Sequence, residues 1–273
     1  MEVLFAHTYL LLFGKLAVGG LLSLAVPPFA DLERGYFRST GAVYLALAAV
    51  MAGGLAYLAQ AYPQARSAGE IALWLIFVAL FAAYYATLFV ELPFVRARLF
   101  PLAVLVGCAA IATTAGGYVP DGVSAAAGFA FGAAALTGAA VVGAGVSGML
   151  LGHWYLIESG LDLAPLTRML AFCRFCLAAE VTAVSISALL LWAWPGSPWQ
   201  AGFEVATASR FVPLLVGRVA CWALAGFLLT LIRKTLAIPQ TMAATGLFYI
   251  QALVVTVGQI IGHWLLFRTG LPL

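Results

Sequence analysis

Roughly eight apolar stretches of about 20 residues or more fill almost the whole chain, and each ends at turn-forming or charged residues. A helix of that length crosses the hydrocarbon core of a bilayer. Of the 273 residues, 64% are hydrophobic and only 8% are charged, a composition that a soluble domain of this size could not keep in solution. The sequence therefore predicts an all-α fold, a polytopic transmembrane helix bundle that forms a single transmembrane domain over residues 1–273.

The predicted spans leave connections too short for a separate catalytic domain, so the chain either works inside the membrane or serves a partner outside it. The start of the chain, with Glu2 in place of a basic segment, does not resemble a cleavable signal peptide. The fifth span is longer than a bilayer requires and is expected to tilt or project. The spans cover about 4–26, 40–61, 70–92, 100–116, 124–156, 166–193, 211–232 and 241–267.

Basic residues in the connections predict the orientation, because cytoplasmic loops are enriched in lysine and arginine. The odd-numbered connections hold Arg34, Arg38, Arg96, Arg98, Arg168, Arg233 and Lys234, whereas the even-numbered connections and the C-terminal end hold Arg66, Arg210 and Arg268. We therefore expect a multi-pass protein of the cell inner (cytoplasmic) membrane with both termini outside. This bias accounts for the net charge of +3 and gives no reason to expect a nucleic-acid partner.

Three charged residues lie deep inside predicted spans. Lys15 lies roughly 16 Å along the first helix, Glu180 near the middle of the sixth span, and Arg218 about two turns into the seventh. An isolated charge at this depth costs several kcal/mol, so these residues should pair or line a wet cavity. A Lys15–Glu180 pair, which Arg218 joins, is the favoured arrangement. Structural pairing and proton conduction are equally compatible with it.

A second set of polar residues is predicted at the outer face: His7, Gln60, Glu70 and His263. His7 and His263, at one depth on different helices, could occupy the two axial positions of a b-type haem or form hydrogen bonds to a quinone. Glu70 either stabilises the start of its helix through the helix dipole or accepts a proton from a quinol. His153 and His263 share the tripeptide Gly-His-Trp, but they are predicted at opposite faces.

The four cysteines, Cys108, Cys173, Cys176 and Cys221, lie within predicted helices and are interpreted as small apolar residues. Cys173 and Cys176 have the C-x-x-C spacing, but further ligands at their depth are not evident, so no metal site is predicted.

Several short motifs resemble the eight-helix membrane anchors of the dimethyl-sulfoxide reductase type, within the wider polysulfide- and nitrite-reductase anchor group. The similar segments are Phe13-Gly14-Lys15-Leu16-Ala17-Val18-Gly19-Gly20, Ala68-Gly69-Glu70-Ile71 and Gly258-Gln259-Ile260-Ile261-Gly262-His263, together with Arg218. Gln259 and His263 stand where that group has an acid and an arginine, and Gln60 where it tends to have histidine. The resemblance implies a subunit that holds an iron–sulfur protein at the outer face and binds a quinone near it.

These observations favour a non-catalytic membrane subunit of a respiratory electron-transfer oxidoreductase. It would bind menaquinone or ubiquinone near the outer face through His7, Gln60, Glu70, Arg218 and His263, and anchor an iron–sulfur or haem (cytochrome) partner in the lipid bilayer. One alternative is a membrane cytochrome with one haem b bound by His7 and His263. Another is a transporter or channel with a charged path through Lys15, Glu180 and Arg218. A structural subunit without ligand is the fourth class.

The orientation is testable by thiol labelling. In a background without the native cysteines, a single cysteine at position 96 or 233 is expected to react with a membrane-impermeant reagent from the cytoplasmic side only, because the arginine-rich connections stay inside. A cysteine at position 210 should react from the outer side. Labelling of position 96 from outside would reverse the assigned orientation.

Overall fold

A computed structural model describes residues 2–61, 67–119, 125–158, 160–193, 199–238 and 240–273, and only the backbone of residues 2–5, 125 and 126. Within that part of the chain the regular elements are all helices, and eight of them are long and apolar enough to cross a membrane. The predicted all-α polytopic bundle is thereby confirmed. The helices are α1 Glu2–Ser23, α2 Arg34–Ala61, α3 Ala68–Ala86, α4 Pro93–Gly116, α5 Ala125–Ile157, α6 Ala164–Trp192, α7 Trp199–Thr207, α8 Val212–Ala237 and α9 Thr241–Thr269.

The boundary between α3 and α4 differs most from the sequence prediction. Helix α3 ends at Ala86 instead of continuing to residue 92, and Thr87 caps it with a hydroxyl bond to the carbonyl of Tyr84 (2.6 Å). Helix α4 begins early because Pro93 occupies its first turn, where a proline has no hydrogen bond to lose. Arg96 therefore lies in α4, and its guanidinium donates back to the carbonyls of Thr87 (2.5 Å) and Val90 (3.1 Å).

Helix α7 is a short element between α6 and α8 that hydropathy did not predict. Its Trp199 is buried and packs against Phe131 of α5, with ring centroids 6.2 Å apart. Gly202 lies so close to the carbonyl of Thr269 that a Cβ there would be 2.3 Å from the oxygen. The element thus covers the ends of α5 and α9. Arg66, which the orientation argument uses, lies outside the described residues.

The eight spans pack as two groups of four. In the first group α1, α2, α3 and α4 contact one another in a ring, and α5, α6, α8 and α9 do the same in the second. The two rings join mainly along α1 and α5, with further contacts of α4 on α5 and α1 on α9. Because an even number of helices crosses the bilayer, the chain enters and leaves the bundle on one face, which also carries α7.

Glycine makes the α1–α5 crossing close. A Cβ at Gly19 would lie 1.8 Å from the carbonyl oxygen of Ala139, and one at Gly143 would lie 2.0 Å from the carbonyl carbon of Gly19. Such distances are possible only without side chains, and small residues at helix contacts are typical of membrane bundles, where close backbone packing drives association. The Ala/Gly-rich sequence of α5 is therefore explained by its position between the two rings.

This crossing predicts a clear difference between glycines. Gly19→Ala or Gly143→Ala is expected to lower the thermal stability of the detergent-solubilised protein by about 1–3 kcal/mol or more, because the two backbones must separate. Gly53→Ala on α2 is the control, since a Cβ there meets nothing within 4 Å and alanine is the better helix former by about 1 kcal/mol. Equal melting temperatures for Gly143→Ala and Gly53→Ala would contradict the close crossing.

Candidate functional site

The second group of helices surrounds a buried carboxylate. Glu180 of α6 is 1% exposed, and its Oε1 atom lies 2.6 Å from Nη2 of Arg218 on α8. Trp222, one turn further along α8, donates its indole N–H to Oε2 (3.1 Å), and the side-chain amide of Gln259 on α9 donates to Oε1. The carboxylate therefore accepts three hydrogen bonds, one of them from a cation, as a charge in the membrane interior requires.

Lys15 reaches this carboxylate through Gln259. The ammonium of Lys15 on α1 donates to Oε1 of Gln259 (2.8 Å), while the amide nitrogen of the same glutamine donates to Glu180. This orientation of the amide is the only one that satisfies both neighbours, because the reverse would set N–H groups against the ammonium and a carbonyl against the carboxylate. Gln259 thus relays the interaction between cation and anion.

The sequence analysis favours Lys15 paired with Glu180, directly or through water, and in the structure the amide of Gln259 stands between them. The ion pair of Glu180 is with Arg218, which the sequence analysis had placed only as a third member. The physical reason is geometric: α8 packs directly on α6, whereas α1 reaches the second ring through its contacts with α5 and α9. We refer to Lys15, Glu180, Arg218, Trp222 and Gln259 as the buried polar network.

A small cavity borders this network on the side of the chain termini. It offers about 30 Å³ to the centres of water molecules, enough for roughly two of them. Four of its polar lining residues are Lys15, Arg218, Gln259 and His263, and the remaining wall includes Pro272 and Leu273 at the C-terminal end. As built, the cavity admits water but no ring-sized ligand.

The tautomer of His263 follows from its contact. Nδ1 lies 3.2 Å from the main-chain oxygen of Thr8, and because a carbonyl only accepts, Nδ1 carries the hydrogen. In the neutral ring Nε2 is then an acceptor, and it is buried without a hydrogen-bond partner among the described residues. Nε of Arg218, a donor, is likewise buried without a hydrogen-bond partner among the described residues. The residues around the cavity thus provide one unsatisfied acceptor and one unsatisfied donor.

Three glycines leave room for these polar groups. A Cβ at Gly138 of α5 would lie 2.8 Å from Nζ of Lys15 and 2.7 Å from Oε1 of Gln259. At Gly258 it would lie 3.1 Å from Nη1 of Arg218, and at Gly262 3.3 Å from Nε of the same residue. The glycines of the Gly258–His263 segment therefore shape the site as well as the helix packing.

The other residues predicted at the outer face do not share this cavity. Gln60 is exposed at the end of α2, and His7 is half-buried with its ring edge-to-face on Phe267. Among the described lining residues, only Arg218 and His263 belong to the predicted quinone-binding set. A common predicted depth alone does not determine which of these side chains line one cavity.

Glu70 belongs to a separate polar cluster in the first ring. Its carboxylate accepts a hydrogen bond from Thr114 (2.8 Å), which in turn accepts one from the indole of Trp74 (3.0 Å). The backbone N–H of Glu70 donates to the side-chain hydroxyl of Ser67, the N-cap of α3 (3.1 Å). The helix-capping interpretation is consistent with this geometry, and the quinol-proton role of Glu70 stays a prediction.

The two Gly-His-Trp segments have different surroundings. His153 is exposed, and its Nδ1 contacts the hydroxyl of Tyr249 (3.0 Å), whereas His263 is 2% exposed. Within the described residues no group of three or more His, Cys, Asp or Glu could hold a metal ion, and Cys173 donates to the carbonyl of Ala144 (3.3 Å). The haem alternative with His7 and His263 stays a prediction.

The sequence analysis missed the connecting roles of Gln259 and Trp222. Both are neutral, so hydropathy and charge counts gave them little weight. One signal was present: Gln259 lies inside an apolar span, where an amide in lipid needs a partner.

No protein-family model matches the chain, and no curated protein or solved structure matches it.

The charges of the network predict unequal effects of removing them. Glu180→Leu leaves two buried cations without a carboxylate, so we expect a loss of stability of about 3–5 kcal/mol and a low yield of folded protein. Lys15→Met leaves the Glu180–Arg218 pair balanced and should cost much less. The double variant Glu180→Leu with Arg218→Met should recover much of the yield. Thermal unfolding in detergent measures the stability of all three variants. Equal losses of stability for Lys15→Met and Glu180→Leu would refute this charge balance.

Proposed function

We propose that the chain is a non-catalytic membrane subunit of a respiratory oxidoreductase complex that exchanges electrons and protons with a quinone. The observation that carries the proposal is the combination of a buried acceptor, Nε2 of His263, with buried donors on Arg218 and Lys15 around one cavity. Quinone carbonyls accept hydrogen bonds and quinol hydroxyls also donate them, so the two redox forms need both kinds of group.

Each group has a definable part in this proposal. Oxidation of a quinol releases two electrons and two protons, and the electrons pass to an iron–sulfur or haem partner at the outer face. Nε2 of His263 accepts the proton of one hydroxyl, Nε of Arg218 donates a hydrogen bond to that oxygen as it becomes a carbonyl, and the proton of the other hydroxyl passes to water at the outer face. The bound ring displaces Pro272 and Leu273, since the cavity otherwise holds only water. Reduction of a quinone uses the same groups in reverse.

A second candidate is a proton or ion path through the bundle. The water-sized cavity favours it, because the cavity borders Lys15 and Arg218, and these connect to Glu180 by hydrogen bonds. Such a path needs neither a quinone nor a partner subunit, and this difference separates the two functions experimentally.

The test of the proposed function is His263→Asn, purified from native membranes in mild detergent. Asparagine keeps a donor near the position of Nδ1 for the Thr8 carbonyl but removes the acceptor at Nε2. We expect the wild-type protein to copurify with a redox subunit and with quinone, and quinol turnover to fall at least about 100-fold in the variant, on the scale that general acid–base groups contribute.

His153→Asn is the matched control, because it changes the other Gly-His-Trp segment, whose histidine is exposed. It should retain quinone and turnover. Quinol turnover unchanged in His263→Asn would contradict the assigned acceptor. Proton flux in vesicles that contain this chain alone, with no quinone and no redox subunit, would select the second candidate instead.

A further inference from the structure

Arginines gather where α3 turns into α4, on the face opposite the chain termini. Arg34 pairs with Glu91 (3.2 Å), and Arg38 donates to the carbonyl of Leu88 (2.9 and 3.1 Å). Arg96 and Arg98, in the first turns of α4, have no carboxylate partner among the described residues. Glu91 also acts electrostatically on Arg96, but the four arginines outnumber it, so this corner of the bundle carries a net positive charge at the level of the membrane surface.

Arg96 also lines an apolar groove. It has a volume of about 400 Å³ and lies between the connection after α1 and the start of α4. Its walls are formed by aromatic rings and prolines: Phe29, Phe37, Tyr84, Phe100, Pro28 and Pro93. The guanidinium of Arg96 lies 4.6 Å from the centre of the Phe29 ring, and its hydrogen bonds to Thr87 and Val90 use Nε and Nη2. Nη1 makes no bond to a described residue.

We propose that this groove binds an anionic phospholipid of the surrounding membrane, with the phosphate against Arg96 and an acyl chain along the aromatic wall. Charge complementarity supports this occupant, because Arg96 forms no salt bridge with a described residue, even though Glu91 lies near enough to act on it. Arg96 also lies at the N-terminal end of α4, where the helix dipole attracts anions. The volume of the groove and its apolar lining support a chain-bearing ligand over a free anion. Arg98, on the other side of α4, adds to the same field.

The experiment measures lipid binding by native mass spectrometry of the purified protein. The probes are phosphatidylglycerol and phosphatidylcholine with identical acyl chains, and inorganic phosphate as a competitor. We expect phosphatidylglycerol to bind at least about five-fold more tightly, the factor that corresponds to about 1 kcal/mol per basic residue near the surface. Inorganic phosphate should not displace it, because it has no chain.

Two variants remove the site in independent ways. Ala97→Trp fills the groove from an exposed lining position, and Arg96→Gln removes the charge; each should reduce phosphatidylglycerol binding to the phosphatidylcholine level. The controls are Ala220→Trp, at an exposed position on α8, and Arg233→Gln, on the same membrane face, and both should bind as the wild type does.

Three results would overturn the proposal: equal binding of the two lipids, displacement by inorganic phosphate, or equal behaviour of Ala97→Trp and Ala220→Trp. Arg96 also stabilises the end of α3, so Arg96→Gln could fail to fold. In that case the comparison of Ala97→Trp with Ala220→Trp decides the question. The outcome is independent of quinol turnover, so it neither depends on the proposed electron-transfer function nor tests it.

Discussion

The carboxylate of Glu180 lies inside α6 with almost no exposure, and a lone carboxylate in hydrocarbon is unfavourable by several kcal/mol. Its compensation comes from three other helices: Arg218 of α8, Gln259 of α9 and, through that amide, Lys15 of α1. Lipid-facing apolar surfaces give little preference for one helix arrangement over another, since lipid chains are as apolar as the side chains. The hydrogen bonds to Glu180 supply that preference, because they form only when these four helices adopt one relative rotation.

The α1–α5 crossing makes this arrangement reachable. Gly19 lies one turn after Lys15, and its contact with α5 brings α1 against the second ring. On α5, Gly138 leaves the space that the Lys15 ammonium and the Gln259 amide occupy. A side chain at Gly19 would push α1 away from the backbone of α5, and a side chain at Gly138 would take the space of the ammonium and its acceptor. Helix packing and polar pairing are therefore two consequences of the same small residues.

The sequence predicted what depends on local composition and missed what depends on helix rotation. The spans were predictable because hydropathy is a local property, and Lys15, Glu180 and Arg218 stood out because a buried charge is costly. The partner of Glu180 was not predictable, since it depends on which faces of α1 and α8 turn inward. The start of α4 was placed too late, because its position depends on Pro93 and on Arg96 contacts with the end of α3. His7, Gln60 and Glu70 do not line the cavity beside His263, because a common predicted depth does not determine which side chains meet.

Stability alone does not account for the buried polar network. A buried ion pair such as Glu180–Arg218 can often be replaced by apolar residues without loss, and Lys15 adds a second cation for which the described side chains provide no second carboxylate. A sequence selected only for packing would have little use for that cation at this depth. Under the function proposed above, the excess charge, the unsatisfied nitrogen of His263 and the adjoining cavity would all serve one species that enters the site, carries oxygen acceptors and exchanges a proton. A quinone has these properties, and hydrated protons have part of them, which is why the two proposed functions share the same residues.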